Sequence, residues 1–193
     1  MANNQYHRYL KLPVDLGGSI IDLCKANGLL LKEISELQHF KIRREYFPDK
    51  FNSWFAHQGI QFNNVEVFVC PPGLETQIHS DVTDPTSTVT KINIVEGGSG
   101  SQMNWFTPKN EKSHNINISM IGTQYITLEP DEAKLVHRAP ITQPSLLDVS
   151  AFHNVSNTSS EYRYCVSMPL YYVDTNKRVT FQEALEIFKG YIQ

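Results

Sequence analysis

Val65-Glu66-Val67-Phe68-Val69 is where the chain changes character. β-branched and aromatic residues dominate it, and Pro71-Pro72-Gly73 closes it, so it reads as a strand. The same grammar then recurs to Val173. Val89 to Val95 is a strand closed by Gly97-Gly98-Ser99-Gly100. Met103–Phe106, Ile116–Ile121, Gln124–Leu128, Leu135–His137 and Leu146–Val149 follow, then Phe152–Val155, Tyr162–Met168 and Leu170–Val173. Many short strands parted by turn residues predict a β-sandwich or barrel over residues 65–173.

Upstream, the period is helical. Ser19 to Ala26 has apolar residues at helical spacing and stops at Asn27-Gly28, a helix C-terminal signal. Leu29 to Phe40 carries Leu30, Ile34 and Leu37 and reads as a second amphipathic helix; Phe51 to Gln58, opened by Pro48-Asp49, reads as a third. Residues 1–64 are therefore expected to be mainly helical support packed outside a sheet. Thr180-Phe181-Gln182-Glu183 matches a capping box and predicts a C-terminal helix over residues 180–191. Its stripe of Phe181, Ala184, Leu185, Phe188 and Tyr191 serves packing, with a homodimer interface as the alternative use. One domain of 193 residues is expected.

Composition narrows the class. Charged residues make up 19%, and the net charge is −3. Phosphate-tracking proteins usually carry a basic excess, so nucleic acid is disfavoured as a partner. The densest basic run, Lys41-Ile42-Arg43-Arg44, reads as a solvated helix face. Three cysteines, Cys24, Cys70 and Cys165, with no CxxC pair, fit neither a disulfide framework nor a structural zinc site. The N-terminus lacks an apolar signal segment, and Leu29-Leu30-Leu31 is too short to span a bilayer. A soluble, cytoplasmic protein is expected.

His79-Ser80-Asp81 sets an imidazole and a carboxylate two residues apart. On an extended segment both point to one face, where a metal ion can be gripped. Among the later histidines, His153 stands out. Folding residues 153–163 as a hairpin around Thr158 places Ser156 opposite Ser160, Asn154 opposite Tyr162, and His153 opposite Arg163. Arg163 then shares a pocket with His153, and its guanidinium suits a bidentate bond to a carboxylate. Two histidines and one carboxylate on one face form the triad associated with non-haem Fe(II) oxygenases, with open positions on the metal. His137 is the rival third ligand; it has no arginine ten residues on. His7, His57 and His114 read as surface or packing residues.

His79-x-Asp81, His153 and Arg163 together resemble the Fe(II)/2-oxoglutarate-dependent dioxygenase superfamily. Thr76 to Asp81 and Lys91-Ile92-Asn93-Ile94 resemble its small members from bacteriophage genomes. The resemblance implies a double-stranded β-helix (a cupin-like jelly roll) with flanking helices. It implies that His79, Asp81 and His153 ligate Fe(II) and that Arg163 binds the distal carboxylate of 2-oxoglutarate. With O2 as the third reactant, such an enzyme hydroxylates a substrate C–H bond and releases succinate and CO2. A small molecule or a protein side chain is the favoured substrate. Many members carry Ser or Thr two residues after the arginine; this chain has Cys165, with Ser167 two further along. Asn93 and Trp105 are pocket candidates, each with core packing as the alternative. Gly97–Gly100 reads as a flexible turn or lid, lacking the Lys and helix of a phosphate loop. Two other classes stay open: a different metal jelly roll, cupin-type or zinc-dependent, and a non-enzymatic viral or binding jelly roll.

Overall fold

The computed structural model describes residues 5–28, 34–84, 86–110, 116–119 and 122–193. Thirteen strands are assigned among them: β1 His7–Tyr9, β2 Gln38–Ile42, β3 Ile60–Phe62, β4 Val65–Cys70, β5 His79–Ser80, β6 Thr90–Gly97, β7 Gln102–Pro108, β8 Ile116–Ile118, β9 Gln124–Thr127, β10 Ala133–Ala139, β11 Ser145–Asp148, β12 Phe152–Ser156 and β13 Arg163–Tyr172. Three α-helices accompany them: α1 Ile20–Ala26, α2 Asp49–His57 and α3 Phe181–Ile187. No described helix is long and apolar enough to cross a membrane.

The strands form two antiparallel sheets. The first runs β1-β11-β6-β13-β4-β2, with β3 also on β13; the second runs β10-β7-β12-β5-β9-β8. The eight strands β4–β7 and β10–β13 lie in the order of a jelly roll, alternating between the sheets except at the paired β7 and β10, and their inner faces make the sandwich.

Parity decides what each strand shows to each side. On β13, Tyr164, Val166, Met168 and Leu170 face outward into a core shared with α1, α2 and α3; Phe51, Phe55, Phe62 and Phe188 fill it. Arg163, Cys165 and Ser167 face inward. The first sheet is thus covered on both faces, which explains the unbroken burial of β13 from Arg163 to Leu170. A second core, with Met103, Trp105, Leu147 and Val149, fills one end of the sandwich interior. The other end is open.

The helix ends obey their local chemistry. Ser19 Oγ accepts from Ile21 N–H at the start of α1, and Glu96 of β6 accepts from Ile20 N–H at 2.6 Å, tying that helix to the sheet. The Thr180–Glu183 capping box is present in both directions. The α3 stripe is used inside the molecule: Ala184 and Phe188 are fully buried, and Phe188 stacks on Trp54.

Two expectations fail in the N-terminal segment. Of the helix expected over 29–40, the described part, residues 34–40, is not helical: residues 38–42 are β2, paired with β4. Ile34, Leu37 and Phe40 mimic helical spacing, but β2 gains its partner from more than twenty residues downstream, which local periodicity cannot report. Residues 29–33 lie outside the described residues. With β1, β2 and β3 in it, this segment is mixed rather than mainly helical. Lys41 and Arg43 are solvent-exposed, as read, but on and beside a strand. His114, Met120 and Ile121 also lie outside the described residues.

Candidate metal centre

His79, Asp81 and His153 converge at the open end of the sandwich, with one ligand atom of each within 4.8 Å of the others. β5 and β12 are neighbours, and His79 pairs directly with His153, so both imidazoles leave the sheet on one side. Their ring centroids lie 4.4 Å apart. Asp81 follows immediately; its N–H donates to Val149 O at 3.0 Å, which holds it against β11. Ser80 turns the other way and donates to Ser150 O at 2.6 Å.

The ring orientations suit ligation. His79 Nδ1 lies 2.9 Å from Gln77 O, and His153 Nδ1 lies 2.9 Å from Ala151 O. A carbonyl can only accept, so each Nδ1 carries the proton in the neutral ring, leaving the Nε2 lone pair free. His79 Nε2 faces Asp81 Oδ1 at 3.6 Å. Burial, reinforced by His79, pushes His153 down to about 3, so it is neutral at physiological pH. Burial alone would raise the Asp81 carboxyl; Lys91 and the two histidines outweigh it and hold the group well below the usual carboxylate range. Two imidazole nitrogens and one carboxylate on one face are a donor set for a divalent metal with vacant coordination positions.

Two charged residues behind the triad were not picked out from the sequence as part of the site. Lys91 on β6 is buried and places Nζ 2.8 Å from Asp81 Oδ2 and 3.7 Å from Glu66 Oε2. Glu66 on β4 is also buried, and its Oε1 accepts from Thr123 Oγ1 at 2.8 Å. The available signal was parity. Lys91 shares the strand face of Asn93, and Glu66 that of Phe68 on a strand otherwise apolar on both faces.

Arg163 lines the same cavity, of about 380 Å³. It does so by a different route from the expected hairpin. β12 lies in the second sheet and β13 in the first, so His153 pairs with His79 and Trp105, while Arg163 pairs with Cys70 and Gly97. The turn between them crosses from sheet to sheet. Asn157, fully buried, fixes that crossing by donating from Nδ2 to Cys70 O, Pro71 O and Glu161 O. Arg163 and His153 thus meet across the sandwich.

Arg163 is 3% exposed, and no ion pair joins it to a carboxylate among the described residues. It is therefore not a surface arginine paired with Glu66 or Glu161. Cys165 lies within hydrogen-bonding reach of the guanidinium; burial raises its thiol, opposed by Arg163 and Lys91. Ser167 and Asn93 line the cavity and oppose each other in register. Asn93 is 8% exposed and its Oδ1 has no partner. Trp105 does not line the cavity. It projects to the same side as His153, but its indole leans to the far end, donates to Asp148 O at 3.0 Å and stacks on His7. His137 stands there too, 3.2 Å from His7 and away from the triad. Gly97–Gly100 forms the β6–β7 turn, and Gly98 backs onto the stem of Arg163.

No family model matches this chain, and no curated protein does. Among solved structures, the non-heme alpha ketoglutarate dependent carbocyclase SnoK from nogalamycin biosynthesis aligns over 91% of this chain and 89% of its own, with 12% identity and a TM-score of 0.48. The epimerase SnoN, in complex with Fe3+, alpha ketoglutarate and nogalamycin RO, aligns over 86% and 80%, with 13% identity and a TM-score of 0.45. EvdO2 from Micromonospora carbonacea var. aurantiaca aligns over 82% and 84%, with 13% identity and a TM-score of 0.42. Neither the identities nor the TM-scores place the chain in a family, so the chemistry of the site rests on its own residues.

Proposed function

We propose that this protein is an Fe(II)- and 2-oxoglutarate-dependent oxygenase that hydroxylates a C–H bond of a small molecule or a protein side chain. The observation that carries the reading is Arg163: a buried guanidinium without an anionic partner among the described residues, in the cavity that holds an open His/Asp/His cluster. A buried, unpaired cation is costly, and a carboxylate ligand relieves that cost. A simple zinc or cupin-type site has no use for a fixed dicarboxylate anchor.

His79 and His153 offer Nε2 and Asp81 offers Oδ1 to the metal. Arg163 binds the distal carboxylate of the co-substrate and so sets where its 2-oxo acid end lies. Met103, Val149 and Val155 give the cavity apolar walls. Iron bound there supplies the activation of dioxygen, coupled to conversion of 2-oxoglutarate to succinate and CO2 with the second oxygen atom entering the substrate.

The test is anaerobic addition of Fe(II) and 2-oxoglutarate with an optical scan. A weak visible charge-transfer band is expected in the wild type and absent in His79→Ala and Arg163→Ala. A protein that keeps zinc, shows no band and releases no succinate would overturn the proposal.

A further inference from the structure

Asp81 uses its two oxygens differently. Oδ1 faces His79 Nε2 at 3.6 Å, on the side where the ligand atoms converge. Oδ2 faces Lys91 Nζ at 2.8 Å, the distance of a charge-assisted hydrogen bond. Lys91 is itself held from behind by Glu66, at 3.7 Å. Glu66 is steadied by Thr123, which belongs to the turn between β8 and β9 in the other sheet. Lys91, Glu66 and Asp81 come from three separate segments, β6, β4 and the end of β5. A lysine and a glutamate this deeply buried are expensive to desolvate, and a purely structural pair could be replaced by apolar residues at little cost. Their alignment behind one oxygen of one candidate ligand gives them a use.

We propose that Lys91, anchored by Glu66, is a positioning residue that reserves Oδ2 of Asp81 and leaves Oδ1 alone for the metal. A carboxylate free of Lys91 can swing to present both oxygens to a divalent ion. That would take one more coordination position and leave fewer for a chelating co-substrate and dioxygen. Lys91 thus protects the number of vacant positions, acting through Asp81 rather than on the substrate. The inference rests on the metal reading of the triad and not on the identity of the co-substrate.

The coordination number separates positioning from plain electrostatics. Lys91→Met alone removes a positive charge near a divalent ion, and charge alone would tighten binding. The double variant Glu66→Gln/Lys91→Met removes one charge of each sign and leaves the local sum unchanged. Co(II) serves as the probe, because its visible spectrum reports coordination number and its titration gives an affinity, neither needing turnover. The full chain is titrated as wild type, Lys91→Met, Lys91→Arg and the double variant, each checked for cooperative thermal unfolding. A spectrum of higher coordination number is expected in the double variant, whose local charge sum is that of the wild type. A changed spectrum is expected in both variants that lack Lys91, with the wild-type spectrum restored in Lys91→Arg. If Lys91→Met fails to fold, the charge-balanced double variant carries the test. Folded variants with the wild-type spectrum overturn the inference. A wild type that binds no Co(II) overturns the metal reading beneath it, a result distinct from the first.

Discussion

Arg163 and His153 are ten residues apart in the chain, stand in opposite sheets of the sandwich, and reach one cavity. The metal and the anion anchor therefore belong to separate walls and can be disabled separately. Arg163→Met is expected to weaken 2-oxoglutarate binding by about 30-fold or more, since losing one partner of a buried charged pair costs about 2–5 kcal/mol. Co(II) affinity should stay within about threefold of wild type. Calorimetric titration of each ligand checks both halves. Arg163→Lys should recover only part of the loss, because an ammonium cannot make the forked contact.

Gly98 offers a way to disturb Arg163 without touching its charge. A Cβ on Gly98 would meet Arg163 Cβ at 2.5 Å, and the backbone there has φ of +63°. Gly98→Ala is expected to displace the arginine stem and raise the 2-oxoglutarate Kd several-fold, with metal uptake retained. Gly100→Ala, where nothing lies within 4 Å, also has a left-handed φ, of +90°, without the clash and is the control.

Metal should stabilise the fold. At a free concentration of a hundred times Kd a ligand adds about 2.7 kcal/mol, or about 5–10 °C in Tm for a chain of this size. Differential scanning fluorimetry with Co(II) should show that rise in the wild type. His79→Ala, Asp81→Ala and His153→Ala should show none of it.

The metal-free protein should lose stability as pH falls below about 6.5. Burial, helped by His137 and Arg8, lowers His7 to about 4, and His153 is lowered to about 3. An unfolded histidine titrates near 6.5, so below that pH the unfolded chain takes up protons that the folded chain refuses. Each such proton tilts the balance by about 1.4 kcal/mol per pH unit, and the slope vanishes above 6.5. The depressed Asp81 carboxyl acts in the same direction at lower pH: its contribution is present above the unfolded carboxylate range and lost as pH falls through the folded value. Urea midpoints between pH 7 and 5 should therefore decline, and less steeply in His7→Phe.

At the C-terminus, Thr180 Oγ1 accepts from Glu183 N–H at 3.2 Å. Thr180→Ala should cost about 1 kcal/mol and lower Tm by about 2–4 °C, with no change in metal affinity.

Much of this was legible in the sequence because it is local. Period-two strands, the capping box and the one-face geometry of His79-x-Asp81 depend on neighbours in the chain. What failed was non-local. β2 looked helical because its partner, β4, is distant in sequence. The expected hairpin at Thr158 failed for a sharper reason. Turn residues show that the chain reverses, but not whether it returns to the same sheet. Asn157, with its three backbone acceptors, decides that, and its bonds cannot be read from residue type. Lys91 and Glu66 were overlooked because a charged residue on a strand is ordinarily read as facing water.

Those two residues have a consequence for loading. Around the cavity, the carboxylates of Asp81 and Glu66 offset the ammonium of Lys91 and the guanidinium of Arg163, so its own side chains are electrically balanced. On the proposed reading, a divalent cation alone leaves it at plus two and a dicarboxylate alone at minus two. Together they restore zero. Each ligand should then bind more tightly when the other is present, by the same factor in either order. The protein is wired against being half full.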